Sequence, residues 1–122
     1  MTLLKKLRIT RDSVHAGDDC DAPHQRWLTR SESESLDSVM QSILSDAYLP
    51  QIFGGKASWI VCGPGALAVV AQQWKAPHFL VDAQTAIADF DELTFVYWCQ
   101  VDPDKLIKCL QTGLPLPDKY GQ

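Results

Sequence analysis

The chain has 122 residues, 46% hydrophobic and 21% charged, which suits one domain with one core. Eleven Lys and Arg against fifteen Asp and Glu leave a net charge of -4, which argues against a nucleic-acid binder that works by neutralising phosphates. The longest apolar run, Ala66 to Ala71, falls far short of the ~20 residues of a membrane span.

In chain order, Met1 to Arg8 carries positive charge with no apolar stretch behind it, so no signal peptide is expected. The prediction is a cytoplasmic protein whose cysteines, Cys20, Cys62, Cys99 and Cys109, are reduced thiols. Leu3 to Arg11 alternates, Leu7 and Ile9 against Arg8 and Thr10, and reads as a half-exposed strand. Asp12 to His24 follows, with four aspartates and no Lys or Arg, punctuated by Gly17 and Pro23. Outside these thirteen positions the chain holds eleven acids and eleven bases, so this predicted loop accounts for the whole net charge. Gln25 to Arg30, centred on Trp27 and Leu28, offers a second strand to pair with the first.

Ser31 to Leu49 has the pattern of a helix. Ser31 and Glu34 have capping-box spacing, and Leu36, Val39, Met40, Ile43 and Leu44 form one apolar stripe. Ala57 to Cys62 and Ala66 to Trp74 read as strands joined by Gly63-Pro64-Gly65, the second apolar on both faces. His78 to Val81 is a third run and Leu93 to Val101 a fourth, the latter with Leu93, Phe95, Tyr97, Cys99 and Val101 on one side. Ala83 to Asp91 predicts a single helical turn. The closing helix has Asp102 as N-cap, Pro103 at its first position, Val101 stapled to Leu106, and Gly113 as its stop. The whole predicts an α+β single domain over residues 1–122: a mainly antiparallel sheet of about five to six strands carrying two principal helices, with 113–122 an extended tail.

His15, Asp18, Asp19, Cys20, Asp21 and His24 are all metal-ligand types, but their spacing matches neither a zinc site nor an EF-hand loop. No metal and no cofactor is expected. Cys20 sits between Asp19 and Asp21, whose charge opposes the thiolate a nucleophile needs. Gly-x-Ser-x-Gly and Walker motifs are absent from the sequence. A small metal- or thiol-dependent enzyme would require His15, Cys20 and His24 to converge. A homodimeric structural module would use the apolar hairpin or the Trp98 strand as an edge. A third reading uses the aspartates as a recognition surface, with Trp27 as an aromatic anchor beside them.

The stretch Arg11 to His24, Arg-Asp-Ser-Val-His-Ala-Gly-Asp-Asp-Cys-Asp-Ala-Pro-His, and the chain's overall character resemble the immunity proteins of bacterial toxin–immunity systems, including those of contact-dependent growth inhibition. That resemblance implies a small, acidic, non-catalytic cytoplasmic domain that binds and blocks a cognate protein toxin, often a nuclease. On this reading Asp12, Asp18, Asp19, Asp21, Trp27, Asp89 and Asp91 contact the basic surface of the toxin, and neither nucleic acid nor membrane is bound directly.

Overall fold

The computed structural model describes residues 3–12, 24–46, 48–49, 57–72, 74, 76–99 and 102–116. Six strands form one sheet in the order β2-β1-β6-β3-β4-β5, made of β1 (Leu4–Arg11), β2 (Arg26–Ser31), β3 (Ala57–Cys62), β4 (Ala66–Ala71), β5 (His78–Phe79) and β6 (Glu92–Cys99). Two helices, α1 (Leu36–Ser45) and α2 (Pro103–Thr112), pack on it, so the fold is α+β. Among the described residues every strand pairing is antiparallel except β1 with β6, which run parallel with Arg8 beside Glu92 and Thr10 beside Thr94.

Strand alternation divides the core into two. Leu7 and Ile9 of β1, Trp59 and Val61 of β3, and Leu93, Phe95 and Tyr97 of β6 meet the apolar stripe of α1, formed by Leu36, Val39, Met40 and Ile43. Trp59 lies 4.9 Å from Tyr97 by ring centroids, and Phe95 meets Tyr48 edge to face at 5.8 Å. The opposite faces of the same strands send Ile60 and Val96 toward Leu106 and Ile107 of α2. No residue of β1 or β2 belongs to that second cluster. The slip in pairing between Val61 and Cys62 turns Leu67 into the α1 core and Ala66 into the α2 core.

The first helix starts later and stops earlier than its apolar pattern suggests. Ser31 closes β2 instead of capping a helix, because Glu32 N–H donates to Leu3 C=O (2.9 Å) and prolongs the ladder. Glu34 is taken by Arg30, and Ser35 becomes the N-cap, its hydroxyl accepting from Ser38 N–H at 3.1 Å. The orphan N–H groups of Leu36 and Asp37 donate to the carbonyls of Thr85 and Ala83, so the 83–87 segment completes the helix start. The helical turn expected within Ala83 to Asp91 is a 3-10 turn at Ile87–Asp89.

The closing helix follows its sequence signals. Asp102 accepts from Asp104 N–H at 3.0 Å, Pro103 occupies the first turn, and Gly113 ends the helix at φ 73, a backbone region that favours glycine. Strand ends are shorter than the apolar runs: β4 stops at Ala71 and β5 at Phe79. Gln100 and Val101, with the expected Val101 staple, lie outside the described residues.

Candidate functional site

The acidic segment, Asp12 to His24, connects β1, which ends at Arg11, to β2, which begins at Arg26. Asp18, Asp19 and Asp21 lie outside the described residues, as do His15 and Cys20. Both roots of the segment are fastened. Asp12 N–H donates to Phe95 C=O (3.0 Å), and Asp12 Oδ2 accepts from Tyr97 N–H (3.0 Å), so this carboxylate clamps the end of β1 to β6. At the other root, the Tyr48 hydroxyl donates to His24 C=O, and His24 takes a positive φ of 57.

Tyr48 is the post that both roots share. Its ring meets Phe95, and the guanidinium groups of Arg26 and Arg11 lie over it at 5.0 and 5.8 Å from the centroid. Burial pushes its phenol up to about 12, against the opposing pull of Arg11 and Arg26. The group therefore stays neutral as a hydrogen-bond donor at physiological pH.

Trp27 stands directly opposite Arg8 on the face away from α1. It is 58% exposed, because α2 covers the β3–β4 side of that face and leaves the β1–β2 side open. Beside it, Arg8 Nη2 donates to Glu92 Oε1 at 2.9 Å, and the Thr10 hydroxyl reaches Thr94 Oγ1 at 3.3 Å. Trp27, Arg8 and Glu92 thus form a row across three strands, an aromatic next to an internally matched ion pair. Leu4 and Lys6 extend the same open face and are both exposed.

Asp89 and Asp91 lie elsewhere. Asp91 C=O accepts from Arg8 N–H (3.1 Å), and its carboxylate takes Lys5 Nζ at 3.0 Å while remaining 96% exposed. Arg8 and Asp12 are four positions apart, about 13 Å of extended chain, so this pair sits well down β1 from the roots of the acidic segment. With Glu92, Thr94, Cys62, Gly63 and Pro64, the two aspartates line an open cavity of about 320 Å³. Burial first, and the charge of Asp12 second, push the Cys62 thiol up, which is the wrong direction for a nucleophile. Among the described residues no three His, Cys, Asp or Glu side chains converge as a metal site would require.

The residues nominated from sequence therefore fall in three places: the roots and body of the acidic segment, the open face at Trp27, and the cavity at Asp89 and Asp91, which adjoins that face through Glu92 and Thr94. Tyr48, Arg8 and Lys5 hold this arrangement together, and the sequence offers no sign of it, because their partners are 24, 84 and 86 residues away. No family model, no curated protein and no solved structure matches the chain.

Proposed function

We propose that this protein is a non-catalytic binding protein that neutralises a cognate bacterial toxin in the cytoplasm, as the immunity proteins of contact-dependent growth inhibition and related systems do. The acidic segment docks in a basic cleft of the toxin, its carboxylates standing where the phosphates of a nuclease substrate would lie. Trp27 packs against the rim of that cleft.

The observation that carries this reading is Trp27. An indole left 58% exposed on a part of the sheet that neither α1 nor α2 covers, in the hairpin that bears the chain's net charge, has the character of an interface anchor. The fastened roots support it: a charged segment held at both ends loses less freedom on docking than a free tail. Carboxylates presented this way accelerate encounter with a cationic partner, an effect that salt weakens. Asp12, engaged with Tyr97, positions the segment, while Asp18, Asp19 and Asp21 supply the contacts. Asp89 and Asp91 join only in a partner broad enough to cover the open face. Among the described residues no helix is long and apolar enough to cross a membrane.

The test is binding of the purified toxin candidate encoded by the neighbouring gene, measured by titration calorimetry and stopped-flow association. Joint replacement of Asp18, Asp19 and Asp21 by Asn should weaken the complex on the order of a hundredfold and flatten the salt dependence of the on-rate. Absence of a complex, or undiminished affinity in the triple variant, would overturn the proposal.

A further inference from the structure

We infer that β2 is an interface strand, and that it pairs antiparallel with β2 of a second copy about a two-fold axis at Thr29. The inference rests on backbone direction and register, independently of the toxin reading.

Glu32 N–H donates to Leu3 C=O (2.9 Å), which fixes the parity of the β1–β2 ladder. Pairs of the same parity, Lys5 with Arg30, Leu7 with Leu28 and Ile9 with Arg26, exchange its hydrogen bonds. The parallel side agrees, since Arg8 and Asp12 turn their N–H groups to β6, donating to Asp91 (3.1 Å) and Phe95 (3.0 Å). Trp27 and Thr29 therefore aim their backbone groups off the edge of the sheet, as Ser31 does its N–H, while the Ser31 C=O accepts from Glu34 N–H (3.0 Å). Within the chain neither Trp27 nor Thr29 makes a backbone hydrogen bond among the described residues.

Sheets normally shield such an edge. The opposite edge does so by length, β5 being two residues long. The six residues of β2 contain no proline and no bulge. Its two arginines are drawn sideways on the α1 side, Arg26 over the Tyr48 ring and Arg30 into the Glu34 carboxylate.

A second β2 can meet this edge only in registers that place outward residues opposite outward residues. An axis at Leu28 sets Arg26 against Arg30 of the second copy, and an axis at Arg30 sets Arg30 against itself. Both confront like charges across the ladder, and axes at Trp27 or Ser31, at the ends of the strand, leave fewer outward residues of β2 in register. An axis at Thr29 instead places Arg26 opposite Glu32 of the second copy, twice by symmetry, a contact that the Arg26 guanidinium reaches by turning from the Tyr48 ring toward the edge. It also sets Thr29 against its own counterpart and Trp27 against Ser31. Glu32 makes no ion pair within the chain among the described residues, so its carboxylate is available for this contact. The ladder uses only the backbone of Trp27, and the indole stays on the open face.

Sedimentation of the full chain over about 1–200 μM should show a mass that rises from monomer to dimer by mass action. Thr29→Pro removes an N–H that no intrachain bond uses and places a ring on the edge, so the far-UV spectrum should persist while the dimer is lost. Glu32→Arg should weaken the dimer about tenfold by confronting Arg26, and Arg26→Glu combined with Glu32→Arg should restore it. A monomer throughout the range, a dimer indifferent to Thr29→Pro, or a double variant as weak as Glu32→Arg alone would each overturn the assignment. A strand from another protein on this edge would show as the first of these outcomes.

Discussion

Replacing Glu34 by Gln separates two roles that the same residue could play. Arg30 Nε donates to both carboxylate oxygens at 3.1 Å, Nη2 reaches Oε2 at 2.6 Å, and the Ser38 hydroxyl adds a further bond at 3.2 Å. The side chains are 32% and 18% exposed, so this pair is better shielded than the surface ion pairs worth about 0–1 kcal/mol. A forked, charge-assisted contact of this kind should contribute about 1–2 kcal/mol, and its loss should lower Tm by about 4–8 °C in a domain this size. The hydrogen bonds from Arg30 hold the Glu34 carboxyl below the ordinary carboxylate range despite the opposing effect of burial. Its contribution is therefore complete above the unfolded-state value and lost as pH falls through the depressed folded value. Arg30, held above its ordinary range by the same contact, stays charged throughout. Thermal unfolding followed by circular dichroism should show Glu34→Gln less stable at pH 7, with the gap closing in acid. In a capping box Gln serves nearly as well as Glu, so equal stability at pH 7, or a gap independent of pH, would refute the ion-pair assignment.

Two further outcomes follow from the helix caps and from Tyr48. Asp102→Ala should cost about 1 kcal/mol, and Gly113→Ala should cost about as much through its left-handed backbone, as read from urea unfolding. The two ends of α2 lie about 15 Å apart, so the losses should add in the double variant. Tyr48, pushed up to about 12, contributes stability that is present below the ordinary phenol range and disappears as pH rises through the folded value. Alkaline unfolding should thus show a pH-dependent loss in the natural chain that Tyr48→Phe lacks.

Local signals were decisive where one segment carried them all. Asp102, Pro103, Leu106 and Gly113 specify α2 within a dozen residues, and each acts as its type predicts. The hairpin of β1 and β2 was readable for the same reason, since Leu7 and Ile9 alternate with polar neighbours and, with Leu28, face α1. The start of α1 was not. Ser31 with Glu34 and Ser35 with Ser38 are equally good caps in isolation, and the choice is made by Leu3, which prolongs β2, and by Thr85 and Ala83, which offer carbonyls to Leu36 and Asp37. The parallel pairing of β1 with β6 was equally hidden, because it joins residues 84 apart and leaves no mark on either strand's alternation. In the candidate site, the acidity of Asp12 was plain from sequence, but its duty as a backbone clamp depends on Tyr97.

The β1–β2 hairpin carries three separable properties because each resides in a different part of it. Charge is concentrated in the sequence of its connecting segment, the Trp27 indole projects from its open face, and unpaired backbone groups project from its edge. Perturbing one need not disturb the others: Asn at Asp18, Asp19 and Asp21 changes only charge, Trp27→Ala removes only surface-facing apolar area, and Thr29→Pro blocks the edge while leaving the charge and the indole in place. If toxin binding and self-association both occur, the first two changes should weaken toxin binding and leave the dimer intact, and the third should do the reverse. A change at the edge that also abolished toxin binding would mean that the toxin engages the dimer, which would make the two copies of the acidic segment act together through effective concentration.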